Sequence, residues 1–223
     1  VVHRLQDELA AAQGADARRA VLQRLVAASV NLRRLDYAAV YQAQLADADS
    51  AAPAPRKLAA DYFSQAADAL RAPADSALAR RLSAQAVAQY DAYARLAPHD
   101  LDAQLAAAVR IVRGAGGTPA SVMDGVRRLR ALAEAHPRHA PVHLQLGLFS
   151  LQTNQLDKAE ARFRDALAAD ARSAEAHFYL GVALARQGKA APAREAFARA
   201  TALAGSNAEL RAAIRAEERQ LPR

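Results

Sequence analysis

The 223-residue chain is 52% hydrophobic yet only 5% aromatic, has no Cys, no Trp and a single Met, and carries a formal charge of +7. Roughly a quarter of it is alanine, so its apolar content is mostly small side chains. This composition excludes a disulfide-stapled module, a cysteine-ligated zinc or iron–sulfur centre and a disordered chain, and with 9 Gly and 9 Pro it makes long helices the default.

The basicity rests on 27 Arg and three Lys (Lys57, Lys158 and Lys189), an arginine–alanine bias typical of GC-rich bacterial genomes. No run approaches the roughly 18 consecutive apolar residues of a membrane-spanning helix. The start Val1-Val2-His3-Arg4 has neither the charged nor the apolar region of a signal peptide, and it has no initiator Met. The expectation is a fragment or processed form. It would be membrane-anchored or periplasmic through a segment upstream of Val1, and otherwise cytoplasmic.

In chain order, residues 1–50 read as a degenerate helical region, with a helix pair over 16–47 turning at Arg34-Leu35-Asp36. DADSAAPAPR (47–56) reads as a linker. A helix over 57–72 precedes a second over 76–96, whose Ala86, Tyr90 and Tyr93 share one face, and Pro98 closes this unit (57–98). The next unit (101–137) begins with a helix over 101–113 and the loop Gly114–Gly117. Thr118 as N-cap and Pro119 in the first turn open its second helix, with Leu129 and Leu132 inward and Pro137 at its close.

The clearest signal is an internal repeat. At a shift of 34, residues 140–173 overlay 174–207: His143 on His177, Leu146 on Leu180, Gly147 on Gly181, Ala159 on Ala193, Phe163 on Phe197 and Ala166 on Ala200. Each unit reads as two antiparallel helices, A and B. Gly147 and Ala159 are expected to meet where A crosses B, because only small residues let helix axes approach to about 8 Å. Phe163 and Ala166 are expected against the following unit. Asn154 and Gly188, which tolerate left-handed backbone, mark the A–B turns. Ser206 and Glu209 read as a capping box opening a polar capping helix over 207–220.

These residues resemble the tetratricopeptide repeat (TPR), with its Leu-Gly, Ala, Phe and Ala positions matched in both units. His143 and His177 stand where the family has an aromatic, Ser150 and Leu184 where it has Tyr, and Ala171 and Gly205 where it has the closing Pro. From about residue 57, especially through GTPASVMDGVRRLRALAEAHPRHAPVHLQLGLFSLQTNQLDKAEARF, the chain is also similar to TPR proteins of Bacteroidota type. Those proteins carry an N-terminal membrane segment and have no defined activity. The resemblance implies an all-α fold, a right-handed alpha-alpha superhelix of about 11–12 helices with a C-terminal capping helix. It places the array over 51–223, with units near 57–98, 101–137, 140–173 and 174–206.

Candidate chemistry is sparse. His136, His139 and His143 have helical metal-ligand spacing, but Pro137 and Pro141 interrupt the helix and no carboxylate or Cys lies near in sequence, so packing or exposed histidines are favoured and no metal is expected. Gly114–Gly117 follows a helix and lacks the Lys-Ser/Thr of a phosphate loop. No nucleophile motif exists, so no catalytic residue, enzyme activity or cofactor is expected. Arg33-Arg34, Arg80-Arg81 and Arg127-Arg128 with Arg130 lack the interleaved aromatics of single-strand readers, and no nucleic-acid partner is expected. The resemblance implies a groove on stacked A helices, lined here by Leu144, Leu148 and Gln152 in one unit and Phe178, Val182 and Arg186 in the next. The Lys–Asn–Arg carboxylate clamp of some TPR proteins is absent, so the groove suits an amphipathic helix or apolar peptide of a protein partner. The alternative is that the capping helix or a neighbouring chain covers these side chains. A second functional reading is a self-associating envelope or assembly protein, with membrane contact only through an upstream anchor.

Overall fold

The computed structural model describes residues 1–70, 75–113 and 119–222, the side chains of 119–121 excepted. Among them are twelve helices and no strand. They are α1 (Val2–Ala11), α2 (Ala15–Asn31), α3 (Leu35–Ala48), α4 (Pro53–Ala69), α5 (Ser76–Leu96), α6 (Leu101–Arg113), α7 (Pro119–Ala135), α8 (Ala140–Gln152), α9 (Leu156–Ala169), α10 (Ala174–Arg186), α11 (Ala190–Leu203) and α12 (Ala208–Glu218). The all-α helical-repeat architecture is as expected. Two compact units are distinguished, Val1–Arg127 and Arg128–Arg223, each built from antiparallel helix hairpins.

The hairpins share one backbone grammar. Helices α3, α5, α7, α9 and α11 end with an amide of residue 49, 97, 136, 170 or 204 donating to the carbonyl four residues earlier. The amide three residues further on, at 52, 100, 139, 173 or 207, then turns back onto that terminal residue. The last two repeats are thus 34 residues long, the preceding one 39 and the one before it 48. Each second amide belongs to the residue that starts the next helix. Asp100, Ser173 and Asn207 cap that helix by accepting the amide three residues on. The cap of α12 is therefore Asn207 rather than Ser206, because its carboxamide oxygen reaches the Leu210 amide at 3.0 Å.

Turns from helix A to helix B are equally uniform. Asn154 (φ 56°) and Gly188 (φ 78°) take the left-handed conformation expected of them, and Arg33 (φ 55°) does the same between α2 and α3. In all three turns the amide after the left-handed residue closes a six-residue loop onto the helix, Arg34 to Ser29, Gln155 to Ser150 and Lys189 to Leu184, at 2.8–2.9 Å. Residues 15–48 are thus a hairpin of the same kind, turning one or two residues before the expected position. The expected linker over 47–56 is instead the end of α3, a four-residue turn and the first turn of α4. Pro53 and Pro55 fit there because the first helical amides have no intrahelical acceptor.

Aligning these turns overlays the core. A small residue recurs in helix B as Ala38, Ala86, Gly125, Ala159 and Ala193, all buried. Four residues later comes the larger filler: Gln42, Tyr90, Leu129, Phe163 and Phe197. In helix A, eight residues after the cap, stand Ala60, Ala108, Gly147 and Gly181. Where a Cβ of Gly147 would stand lies the Phe163 ring, and Gly181 faces Phe197 in the same way. A Cβ at either glycine would lie 2.4 or 2.6 Å from a ring carbon, so the aromatic lies flat against bare helix backbone. Phe163 also stacks on Tyr179 of the following hairpin, with centroids 5.8 Å apart, so one ring serves both contacts.

The position usually aromatic in helix A has a different task here. His143 Nε2 lies 3.0 Å from the Pro137 carbonyl and His177 Nε2 3.2 Å from the Ala171 carbonyl, while Gln104 Nε2 donates to the Pro98 carbonyl at 2.8 Å. Each satisfies the carbonyl two residues before the helix cap, one of the acceptors a turn would otherwise leave unmade.

Gly147→Ala is expected to destabilise the protein by about 1–3 kcal/mol in urea unfolding, although alanine is the better helix former by about 1 kcal/mol, because Phe163 is fully buried and cannot retreat. Gly147→Ala with Phe163→Leu is expected to lose less than the sum of the two single changes.

Candidate functional site

Side chains five, nine and thirteen residues after an A-helix cap lie along one face of that helix, since steps of four nearly complete a turn. In unit Val1–Arg127 this row is Lys57, Asp61 and Gln65 on α4, and Leu105, Val109 and Arg113 on α6. In unit Arg128–Arg223 it is Leu144, Leu148 and Gln152 on α8, and Phe178, Val182 and Arg186 on α10. The two units use the row differently.

On α4 the row is polar, with Lys57 and Asp61 bonded to the protein itself, whereas on α6 Leu105 and Val109 precede Arg113. Lys57 Nζ donates to Asp100 Oδ2 at 2.8 Å, and the Tyr93 hydroxyl donates to the same oxygen at 2.7 Å. Asp100 Oδ1 meanwhile caps α6. Tyr90 donates to Asp61 at 2.6 Å, and Arg110 forks onto both oxygens of Asp68 at 2.7 and 2.8 Å. These bonds join α4 to α5 and α6. The Lys57 hydrogen bond, then that of Tyr93, holds the Asp100 carboxyl down at about 2. Burial, reinforced by the Asp61 carboxylate, pushes the Tyr90 phenol well above its ordinary value. Sequence reasoning named none of these as a constellation, because the Pro-Ala run hid the start of α4 and with it the register of Lys57 and Asp61.

In the second unit the row is apolar. Leu144 and Leu148 are half-buried, and Gln152 and Arg186 are exposed. Phe178 and Val182, expected to line a groove, retain only 8% and 4% of their surface. They belong to the core cluster containing Ile214 of α12, and α12 contacts both α10 and α11. Phe178 packs at 5.0 Å from Tyr179 and 6.1 Å from Phe197 between ring centroids. The structure therefore brings Leu144 and Leu148 to the accessible margin of the cluster, whereas Phe178 and Val182 form its interior. Helix α8 has no Asp, Glu, Lys or Arg in thirteen residues. Alongside, Glu160 accepts from Lys189 at 2.9 Å and pairs with Arg164 at 2.7 Å; the Lys189 hydrogen bond draws its carboxyl below the ordinary value.

Among the described residues no three His, Asp or Glu side chains converge as metal ligands, and no helix is long and apolar enough to cross a membrane. His136 is exposed, while His143 and His177 are committed to turn carbonyls. Gly114–Gly117 and Thr118 lie outside the described residues.

No protein-family model matches the sequence, and no curated protein matches it. Solved structures do match. MamA (residues 41 to the end) from Desulfovibrio magneticus RS-1 is 18% identical with a TM-score of 0.59, covering 85% of this chain and 97% of that one. TTC0263, a thermophilic TPR protein of Thermus thermophilus, is 21% identical with a TM-score of 0.59, covering 89% and 98%. YrrB, described as a TPR protein with an unusual peptide-binding site, is 15% identical with a TM-score of 0.52, covering 89% and 91%. At these identities the likeness establishes the fold: a TPR-type helical solenoid.

Asp100 has a folded value of about 2 against an ordinary 3.8, so its contribution to stability is complete above pH 3.8 and disappears as pH falls through 2. Asp100→Asn is expected to cost about 1–2 kcal/mol at pH 7, and urea titrations are expected to show its gap from the parent closing between pH 4 and 2.

Proposed function

We propose that the protein is a non-enzymatic TPR scaffold that binds a protein partner along the apolar row of α8 and α10. The observation carrying this reading is the half-buried pair Leu144 and Leu148 on a helix without acidic or basic residues, flanked by exposed Gln152 and Arg186. Such a margin suits an amphipathic helix or apolar peptide that covers the leucines and offers an acceptor to Arg186. Phe178 and Val182 support the row from beneath. Membership of the TPR fold is consistent with a protein-binding role, as is the peptide-binding site in the description of YrrB. In this proposal residues 51–223 form the array and 1–50 its degenerate N-terminal region. The resemblance to Bacteroidota-type proteins adds attachment to a membrane through an upstream segment.

A second reading, self-association, is favoured by the exposed apolar side chains Leu78, Leu96 and Met123 in the first unit. Light scattering over a hundred-fold concentration range separates the two: a constant monomer mass counts against assembly, and a rising mass supports it.

Leu148→Glu with Arg186→Glu is expected to weaken partner capture at least about ten-fold while far-ultraviolet circular dichroism stays helical, since both positions have solvent access. Val182 is unsuitable for this test, because glutamate there would bury a charge in the core. Undiminished capture by the folded double variant would remove the groove from consideration.

A further inference from the structure

The turn between α2 and α3 departs from its two structural equivalents in one consistent way. Its left-handed residue is Arg33, where the others have Asn154 and Gly188, residue types that adopt this conformation with little strain. Beside it, Leu32 replaces Thr153 and Gln187. In the first turns of the following helix, Tyr37 replaces Lys158 and Pro192, and Val40 replaces Ala161 and Glu195. Leu32, Tyr37 and Val40 are 59%, 41% and 43% exposed. The equivalent positions 153, 158 and 161, and 192 and 195, are also exposed but carry polar or small side chains. Folding the hairpin thus does not require large apolar residues here.

The charges are arranged around this patch. Arg34 lies 4.3 Å from the Tyr37 ring centroid and forks onto Asp36 at 2.9–3.1 Å, which holds the ring and guanidinium in one place. Tyr37 and Val40 are one helical turn apart on the outer face of α3. Arg33 is exposed and forms no ion pair among the described residues, so its guanidinium can meet an incoming carboxylate. Tyr and Arg beside aliphatic side chains are the residue types that dominate protein-interface energetics.

We propose that this turn is a second docking surface, separate from the α8–α10 row, that takes a segment of a protein partner bearing a large apolar side chain next to a carboxylate. The apolar side chain covers Tyr37 and Val40, and the carboxylate pairs with Arg33. The charge of the patch selects an acidic segment over a basic one, and keeping arginine in a strained turn is accounted for by its contact with the ligand rather than by the fold.

The test uses the full chain, labelled with nitrogen-15, and two synthetic peptides of about 12 residues with identical Leu and Phe side chains. One carries Asp and Glu between them, the other Asn and Gln. The acidic peptide is expected to shift the amide resonances of residues 31–41 and to bind about ten-fold tighter than its amide counterpart. Arg33→Gly, which preserves the left-handed turn, is expected to erase most of that preference with no loss of thermal stability. Tyr37→Lys with Val40→Glu, residue types drawn from the equivalent turns, is expected to abolish the shifts. Should this pair fail to fold, Arg33→Gly alone decides. Equal binding of the two peptides, or unchanged preference in Arg33→Gly, overturns the proposal. So do shifts at 31–41 that grow with protein concentration alone, which would assign the patch to a second copy, and binding to anionic vesicles with neither peptide bound. None of these outcomes bears on Leu148 or Arg186.

Discussion

The C-terminal unit depends on a flat aromatic ring against helix backbone. Phe163 rests on Gly147 and Phe197 on Gly181, close enough that a single added methyl group would occupy the ring's place. This contact sets the separation of helices A and B, and the small residues at 159 and 193 maintain it one turn earlier. Because the same ring stacks on Tyr179 of the next hairpin, intra-hairpin and inter-hairpin packing are coupled through one side chain. A chain with only eleven aromatics gains from such placement, since a ring like Phe163 contributes to two interfaces.

Elsewhere polar bonds supplement the packing. In the N-terminal unit the filler position holds Gln42 and Tyr90, and the A-helix row that is apolar on α8 and α10 is charged on α4. Lys57, Asp61, Asp68, Asp100 and Arg110 are bonded mainly to their own chain, so they serve cohesion before recognition. This divides the labour between the units. Internal pairing commits Lys57, Asp61 and Asp68 to contacts within the fold, whereas on the uncharged α8 Leu144 and Leu148 are half-buried. The α2–α3 turn is the converse case, with apolar residues exposed where the architecture asks for none.

Much of the fold was legible because two repeats of equal length overlay without gaps, so helix boundaries, turn residues and inward faces followed from periodicity. Helices 76–96 and 101–113 matched to the residue. Legibility fell where repeats differ in length. Pro53 and Pro55 looked like a linker because proline signals both a break and a first helical turn, and only the position of α3 and α4 distinguishes the two. Residues 2–11 carried no repeat signal and form α1 nonetheless. In the candidate site, the places of Leu144, Leu148, Gln152 and Arg186 on successive A helices were legible through the resemblance to the repeat. The burial of Phe178 and Val182 was not, since it depends on what packs beside them.

By itself the sequence determined that the chain is an array of helix pairs, where the last two pairs begin and end, and that no nucleophile or phosphate-loop motif is present. Those properties are local or periodic, and composition and spacing suffice to express them. Tertiary structure decided which side chains of a shared face remain accessible, that a ring lies against Gly147, and that histidines at an aromatic position satisfy turn carbonyls. It also decided that lysine and aspartate on α4 are bonded within the chain. Each of these depends on a neighbour distant in sequence, whose approach is fixed only when helices pack.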